Sequence, residues 1–192
     1  NHGILTIDEN TPGREADSSI GNAMMLLFAY NTAVSQTLMI HASVSVKDGL
    51  GYVFLGKSGT GKSTHSRLWK ENIPDVWLLN DDNPVLRVID GKTYVYGSPW
   101  SGKTPCYKNE YVPVQAIVDL EQAPENRISR LSPIQGYAAL MPSCSSMKWD
   151  RAWADAEHST LERVIMGVGC WHLRCLPDAD AAKLSYETCR PR

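Results

Sequence analysis

The sequence lacks any strong excess of charge of one sign. Nineteen lysine and arginine residues stand against 21 aspartate and glutamate residues, which leaves a formal net charge of −2. A chain without a basic field cannot hold a polyanion by charge alone. We therefore expect neither nucleic acid nor an anionic membrane surface as a partner.

The sequence also lacks an apolar run long enough to cross a bilayer. Its longest such run is Ala23-Met24-Met25-Leu26-Leu27-Phe28-Ala29-Tyr30, whereas a membrane-spanning helix needs about 20 residues. No basic segment with a cleavage site precedes this run. The composition therefore predicts a soluble protein without a membrane partner.

Cysteine pairs of the C-x-x-C type are absent as well. The five cysteines form an odd set, which fits free thiols in a reducing compartment and predicts a cytoplasmic protein. The spacing of Cys170, His172 and Cys175 matches no common zinc finger, so we expect buried thiols on a core strand there.

The length of 192 residues and the hydrophobic fraction of 43% suit one globular domain, and we expect residues 1–192 to form it. The chain begins at Asn1 without an initiator methionine, which is compatible with a fragment of a longer protein.

Hydrophobic periodicity predicts an α/β protein. A helix is expected over residues 18–35, one strand over 37–46, a second over 52–55, and a helix that begins at Lys62. Later patterns predict strands over 76–80, 112–120 and 171–176, a hairpin of 85–89 with 93–96, and helices over 133–141, 150–168 and 178–189. This order predicts a mixed β-sheet flanked by helices.

The strongest motif follows the strand over 52–55 directly. It reads Gly56-Lys57-Ser58-Gly59-Thr60-Gly61-Lys62-Ser63, which matches G-x-x-x-x-G-K-[ST]. Glycines let successive backbone N–H groups turn inward around an anion, Lys62 can reach the β- and γ-phosphates, and Ser63 can bind Mg²⁺. The helix that begins at Lys62 adds its positive end. The alternative is an ordinary glycine-rich turn.

Two adjacent carboxylates, Asp81 and Asp82, follow the loop by about twenty residues and end an apolar strand. From that position a carboxylate can reach Mg²⁺, and a second one can accept the proton of an attacking hydroxyl. Successive strand residues point to opposite faces, so we expect the strand to end before the pair. The alternative is a solvated Asp-Asp-Asn-Pro turn.

Together, His41, the motif and the Asp pair resemble the C-terminal catalytic domain of HPr kinase/phosphorylase. The resemblance covers residues 41–82 and implies the fold shared with ATP-dependent phosphoenolpyruvate carboxykinases. It implies that ATP and Mg²⁺ are the cofactors and that His41, Asp81 and Asp82 are catalytic. Ser63 and Asp82 are the expected metal ligands, although the sequence leaves open which of the two aspartates binds the metal and which is the base. The resemblance also suggests a homo-oligomer. The nucleotide-binding residues that it implies are those of the motif, Gly56, Lys57, Ser58, Gly59, Thr60, Gly61, Lys62 and Ser63. We add Thr64, which follows the motif directly, as a further nucleotide-binding candidate.

The sequence departs from that family at two places. Thr64 stands where HPr kinase has a glutamate, and the E-x-R-G-x-G signature is not evident. The acceptor that the resemblance would imply, HPr itself, is therefore not expected.

A second loop, Gly97-Ser98-Pro99-Trp100-Ser101-Gly102-Lys103, is a candidate flap. Its glycines would free the backbone, and Lys103 would neutralise charge on a transferring phosphoryl group, which makes Lys103 a fourth predicted catalytic residue. The alternative is an ordinary loop whose Trp100 packs in the core.

These features predict a kinase that transfers the γ-phosphoryl group of ATP, with Mg²⁺, to a hydroxyl on a protein serine or a small molecule. Two alternatives remain open. One is a regulatory module that binds nucleotide without turnover, and the other is a carboxykinase-like enzyme. The sequence does not identify the acceptor.

Overall fold

The computed structural model of the protein describes residues 4, 6, 8, 10–102, 104–145 and 149–191. Within these residues the chain forms five α-helices and a mixed sheet, as predicted, but the sheet has nine strands rather than the seven expected. The helices are α1 (Gly13–Ala33), α2 (Lys62–Asn72), α3 (Pro133–Leu140), α4 (Arg151–Gly167) and α5 (Ala179–Cys189). The strands are β1 (Thr37–Met39), β2 (Ala42–Lys47), β3 (Leu50–Leu55), β4 (Trp77–Asp82), β5 (Val85–Ile89), β6 (Lys92–Tyr96), β7 (Tyr111–Gln122), β8 (Arg127–Arg130) and β9 (Gly169–Cys175).

The sheet branches at its longest strand, β7. The main path runs β1-β5-β6-β7-β3-β2-β4, and β9 and β8 continue from β7 as a branch. The first part of β7 pairs with β6, its later part pairs with β9, and β3 lies along its other edge. Strands β3, β7 and β9 are parallel, whereas β2 is antiparallel to both β3 and β4.

Helices cover both faces of the central strands. Val53 and Leu55 of β3 belong to a core that includes residues of α3 and α4. Tyr52 and Phe54 alternate with them and pack with residues of α2 and α5. Strands that are buried on both faces have continuous apolar sequences, which explains why residues 52–55 lack a polar alternation.

Polar side chains fix where three of the helices begin. Asp150 accepts hydrogen bonds from the backbone N–H groups of Ala152 and Trp153 at the start of α4. Asp178 accepts one from Ala181 at the start of α5. Ser132 and Gln135 form a capping box at α3. Such caps satisfy N–H groups that have no partner within the helix.

Several predicted boundaries were wrong. The single strand predicted over 37–46 is two strands, because the strand is interrupted at residues 40–41. Strand β1 pairs with β5, whereas β2 pairs with β3 and β4. The first helix begins five residues before the predicted residue 18, at Gly13. Strand β8 was missed; it is short and mostly exposed, so its sequence carries little hydrophobic signal.

The described helices include none that is both long and apolar enough to cross a membrane.

A buried histidine links α2 to α5. Trp69 Nε1 donates to His65 Nε2 at 3.2 Å and to Ser185 Oγ at 2.8 Å, and Ser185 Oγ lies 3.0 Å from His65 Nε2. Burial lowers the pKa of His65 from 6.5 to about 4.

This shift predicts a stability that depends on pH. The unfolded chain protonates His65 near pH 6.5, and the folded chain does so only near pH 4, so lowering the pH through this window favours unfolding. The stabilisation that neutral His65 contributes is complete above its pKa in the unfolded chain, and it is lost as the pH falls toward its pKa in the folded chain. We expect the free energy of unfolding, measured by urea titration, to fall by about 2 kcal/mol between about pH 7.5 and about pH 5.

The control compares two histidine variants. His65→Gln should lose this part of the pH dependence, whereas His158→Gln should retain it. An identical pH profile in wild-type protein and His65→Gln would show that His65 does not link protonation to folding.

Candidate active site

The pairing of β2 brings three predicted site segments to one edge of the sheet. Strand β2 lies between β3 and β4 and runs antiparallel to both. The carboxyl ends of β3 and β4 therefore meet the amino end of β2. The loop of residues 56–61 follows β3, the Asp pair ends β4, and His41 precedes β2. Residues that are up to about 40 positions apart thus share one edge by topology alone.

The glycine-rich loop connects β3 to α2. Gly61, at the N-cap of α2, has φ +110°, and Gly59 has φ +81°, conformations that favour glycine. The Thr60 N–H donates to the Lys57 carbonyl at 3.1 Å and closes the turn within the loop. Gly56 has φ +144°, so the backbone geometry favours glycine at three motif positions.

Lys62 folds back over this loop. Lys62 is 8% exposed. Its Nζ donates to the Gly56 carbonyl at 2.8 Å and to the Lys57 carbonyl at 3.4 Å. Burial lowers the pKa of Lys62, and the negative charges of Asp82 and Asp81 oppose that shift. A buried ammonium group held by backbone carbonyls near two carboxylates can exchange those carbonyls for a stronger anionic partner.

Asp81 and Asp82 both belong to β4, so the predicted end of that strand at residue 80 was wrong. Asp82 Oδ1 lies 2.9 Å from His41 Nδ1, and Asp82 Oδ2 accepts a hydrogen bond from Asn83 Nδ2 at 2.9 Å. Asp81 is 5% exposed, and none of the hydrogen bonds or ion pairs between described side chains includes its carboxylate. The two neighbouring carboxylates therefore have different surroundings.

The register of β2 and β4 shows where Asp81 points. Asp81 lies opposite Ser43, and residues directly opposite in a sheet share a face. Ser43 faces α2, because its hydroxyl lies 2.6 Å from the hydroxyl of Ser66. Asp81 therefore points to the face that carries α2. Asp82 starts on the opposite face and reaches the site at the end of the strand, where His41 lies.

These groups surround one cavity of about 500 Å³, which we call the carboxylate cavity. Nine predicted residues line it: His41, Ser58, Gly59, Gly61, Lys62, Ser63, Thr64, Asp81 and Asp82. Gly56, Lys57 and Thr60 do not line it; they line an adjoining cavity on the outer side of the loop. Lys103 lies outside the described residues.

The candidate flap packs directly against the Asp pair. The Gly102 N–H donates to the Asp81 carbonyl at 2.8 Å, and Ser101 forms a bridge with Asp82. A Cβ atom at Gly102 would lie 2.9 Å from the Asp81 carbonyl oxygen, so the approach requires glycine. Trp100 anchors the segment, because its Nε1 donates to the Gly21 carbonyl of α1 at 3.2 Å. The described part of this segment is therefore attached to a helix.

Sequence reasoning missed a polar cluster on the outer side of the loop. Asp119 Oδ2 lies 3.3 Å from His172 Nδ1, and Glu121 Oε2 lies 2.9 Å from His172 Nε2. Burial raises the pKa of Asp119, and the contact with His172 opposes that shift. Asp119 ends an apolar run on the strand next to β3, which was the available signal. Among the described residues, no group of three or more His, Cys, Asp or Glu residues is arranged to hold a metal ion.

Gln122 was also missed. It lies at the end of β7, and its Nε2 donates to the carbonyls of Gly59 and Thr60 at 3.3 Å each. The loop is thus attached to the neighbouring parallel strand.

Comparison with known proteins places the chain in a family. No curated protein matches the sequence. Among solved structures, the HPr(Ser) kinase/phosphatase from Coxiella burnetii aligns with 78% of this chain and 91% of its own length, at 13% identity and a TM-score of 0.43. So low a score supports no argument about function, and membership of the HPr kinase family stays a prediction.

A family model described as "SynChlorMet cassette protein ScmC" matches residues 5–166. The match covers most of the chain. The protein therefore belongs to the ScmC family.

Proposed function

We propose that the protein is an ATP-dependent phosphotransferase that transfers the γ-phosphoryl group to a hydroxyl acceptor at the carboxylate cavity. The observation that carries this proposal is the shared cavity, in which the glycine-rich loop, Lys62, Ser63 and the Asp pair meet. The groups that line the cavity suit the two parts of a Mg-ATP complex. Backbone N–H groups and an ammonium suit a triphosphate, and carboxylate and hydroxyl oxygens suit Mg²⁺.

When bound, ATP supplies the phosphoryl group and Mg²⁺ neutralises part of its charge. Lys62 would leave the carbonyls of Gly56 and Lys57 and bind phosphate oxygens instead. Because burial disfavours its ammonium form, the charge of Lys62 gains more from an anionic ligand than a solvated lysine would. The first turn of α2 would add its positive end at the same place.

The two aspartates would divide the remaining work. We assign the metal to Asp81 and Ser63, because Asp81 points to the face of α2 and no described side chain occupies its carboxylate. This differs from the sequence expectation, which gave the metal to Asp82. Asp82 contacts His41 and would accept the proton of the attacking hydroxyl, with His41 orienting its carboxylate.

Lys62→Ala tests the phosphate site. The variant loses the cation that balances the triphosphate, so we expect its affinity for Mg-ATP, measured by calorimetry, to fall at least about tenfold. Lys70→Ala, an exposed lysine of the same helix, is the matched control and should bind like the wild type. Equal affinity in Lys62→Ala and Lys70→Ala would refute the assignment of the loop.

The Asp pair is tested with two isosteric variants. Asp81→Asn should raise the Mg²⁺ concentration needed for ATP binding by about tenfold or more, since it removes a charged ligand. Asp82→Asn should keep Mg-ATP binding and lower the rate of phosphoryl transfer by about 10²-fold to 10⁴-fold. Asp90→Asn, in the β5–β6 turn, is the control.

Transfer is measured as ADP formation with a library of serine peptides and small alcohols. Full activity in both Asp81→Asn and Asp82→Asn would contradict the proposed roles. Tight ATP binding by wild-type protein with no transfer to any acceptor would favour a regulatory nucleotide-binding module instead.

A further inference from the structure

A second cavity lies beside the glycine-rich loop, on the side of α2 and of the connection between β9 and α5. Its volume is about 560 Å³, within the range of small-molecule sites. The side chains that dominate its wall are apolar: Leu68, Leu120, Ala123, Pro124, Leu176 and Pro177. We call it the apolar cavity.

The apolar cavity contains no charged side chain among the described residues that line it. Its polar side chains are neutral hydroxyl, amide and thiol groups together with His65, whose imidazole is neutral because its pKa is about 4. Such a wall has nothing to balance a phosphate or a metal ion, since burying an unpaired charge is costly. The cavity suits an uncharged, planar group of a ligand.

The two cavities share part of their wall. Gly59, Gly61 and Thr64 line both the apolar cavity and the carboxylate cavity. A ligand whose anionic part binds at the loop can therefore extend past these residues into the apolar cavity. A nucleoside triphosphate has this division, with a charged chain at one end and an uncharged aromatic base at the other.

We propose that the apolar cavity binds the base of the nucleotide, between the side of Leu68 on α2 and the Leu176–Pro177 connection. This inference rests on the proposed function, because it requires the triphosphate at the loop. Gln122 lines the apolar cavity and holds the adjacent loop in place, since its amide donates to the carbonyls of Gly59 and Thr60. Burial of the base against leucine and proline side chains would then supply affinity that the phosphates alone cannot.

The test compares ATP with tripolyphosphate, which has the phosphates but no nucleoside, as Mg²⁺ complexes in calorimetric titrations. Wild-type protein should bind ATP at least about tenfold more tightly than tripolyphosphate. Ala123→Phe fills the apolar cavity and should weaken ATP binding by about tenfold while changing tripolyphosphate binding less than about twofold. Leu176→Phe is a second cavity-filling variant, and Ala152→Phe, on the exposed side of α4, is the matched control.

The outcomes separate this inference from the proposed function. Equal affinity of wild-type protein for ATP and tripolyphosphate, or unchanged ATP affinity in both filled variants, would overturn the base site and leave the phosphate site standing. A wild-type protein that binds neither ligand would overturn the phosphate site and the base site together. Equal weakening of both ligands by well-folded Ala123→Phe and Leu176→Phe would also contradict a cavity that binds the base alone.

Discussion

The antiparallel pairing of β2 with both β3 and β4 is the constraint on which the candidate site depends. This one strand fixes the distance between the end of β3, where the loop begins, and the end of β4, where the Asp pair lies. It also places His41 beside Asp82, because the chain enters β2 at the same edge. The register of β2 and β4 also sets the face to which Asp81 points, since it pairs Asp81 with Ser43, whose side chain faces α2. A shift of one residue would point Asp81 away from Lys62.

Charge and burial act against each other at this edge. Lys62 is buried, which disfavours its ammonium form, while the nearby carboxylates favour it. Backbone carbonyls of the loop hold the ammonium group in place. On the far side of the loop, His65 is neutral and the cavity wall is apolar. The glycine-rich loop therefore borders one cavity with charged side chains and another without them. This difference is the physical basis for proposing that the phosphates bind in the first and the base in the second.

Much of the fold could be predicted from local sequence, because the apolar runs of β3 and β7 and the periodic helices carry strong signals. The motif around Lys62 likewise identified the loop and the start of α2. The break at residues 40–41 could not be predicted, since residues 37–46 have one continuous strand-like pattern and only the different pairing partners of β1 and β2 separate them. The sequence placed Asp81 and Asp82 near the site, but their different surroundings follow from the β2–β4 register and from contacts with His41 and Asn83. The roles of Gln122 and Asp119 depend on β7 being the parallel neighbour of β3, which no local pattern reveals.

The central claim is that the loop and the Asp pair act on one bound ligand. A double-mutant cycle of Lys62→Ala and Asp81→Asn, with Mg-ATP affinity measured by calorimetry, tests it most directly. If both side chains contact one Mg-ATP complex, their effects should be non-additive, with a coupling of at least about 0.5 kcal/mol. Strictly additive effects, or a loss of affinity in neither single variant, would contradict the claim that these residues form one site.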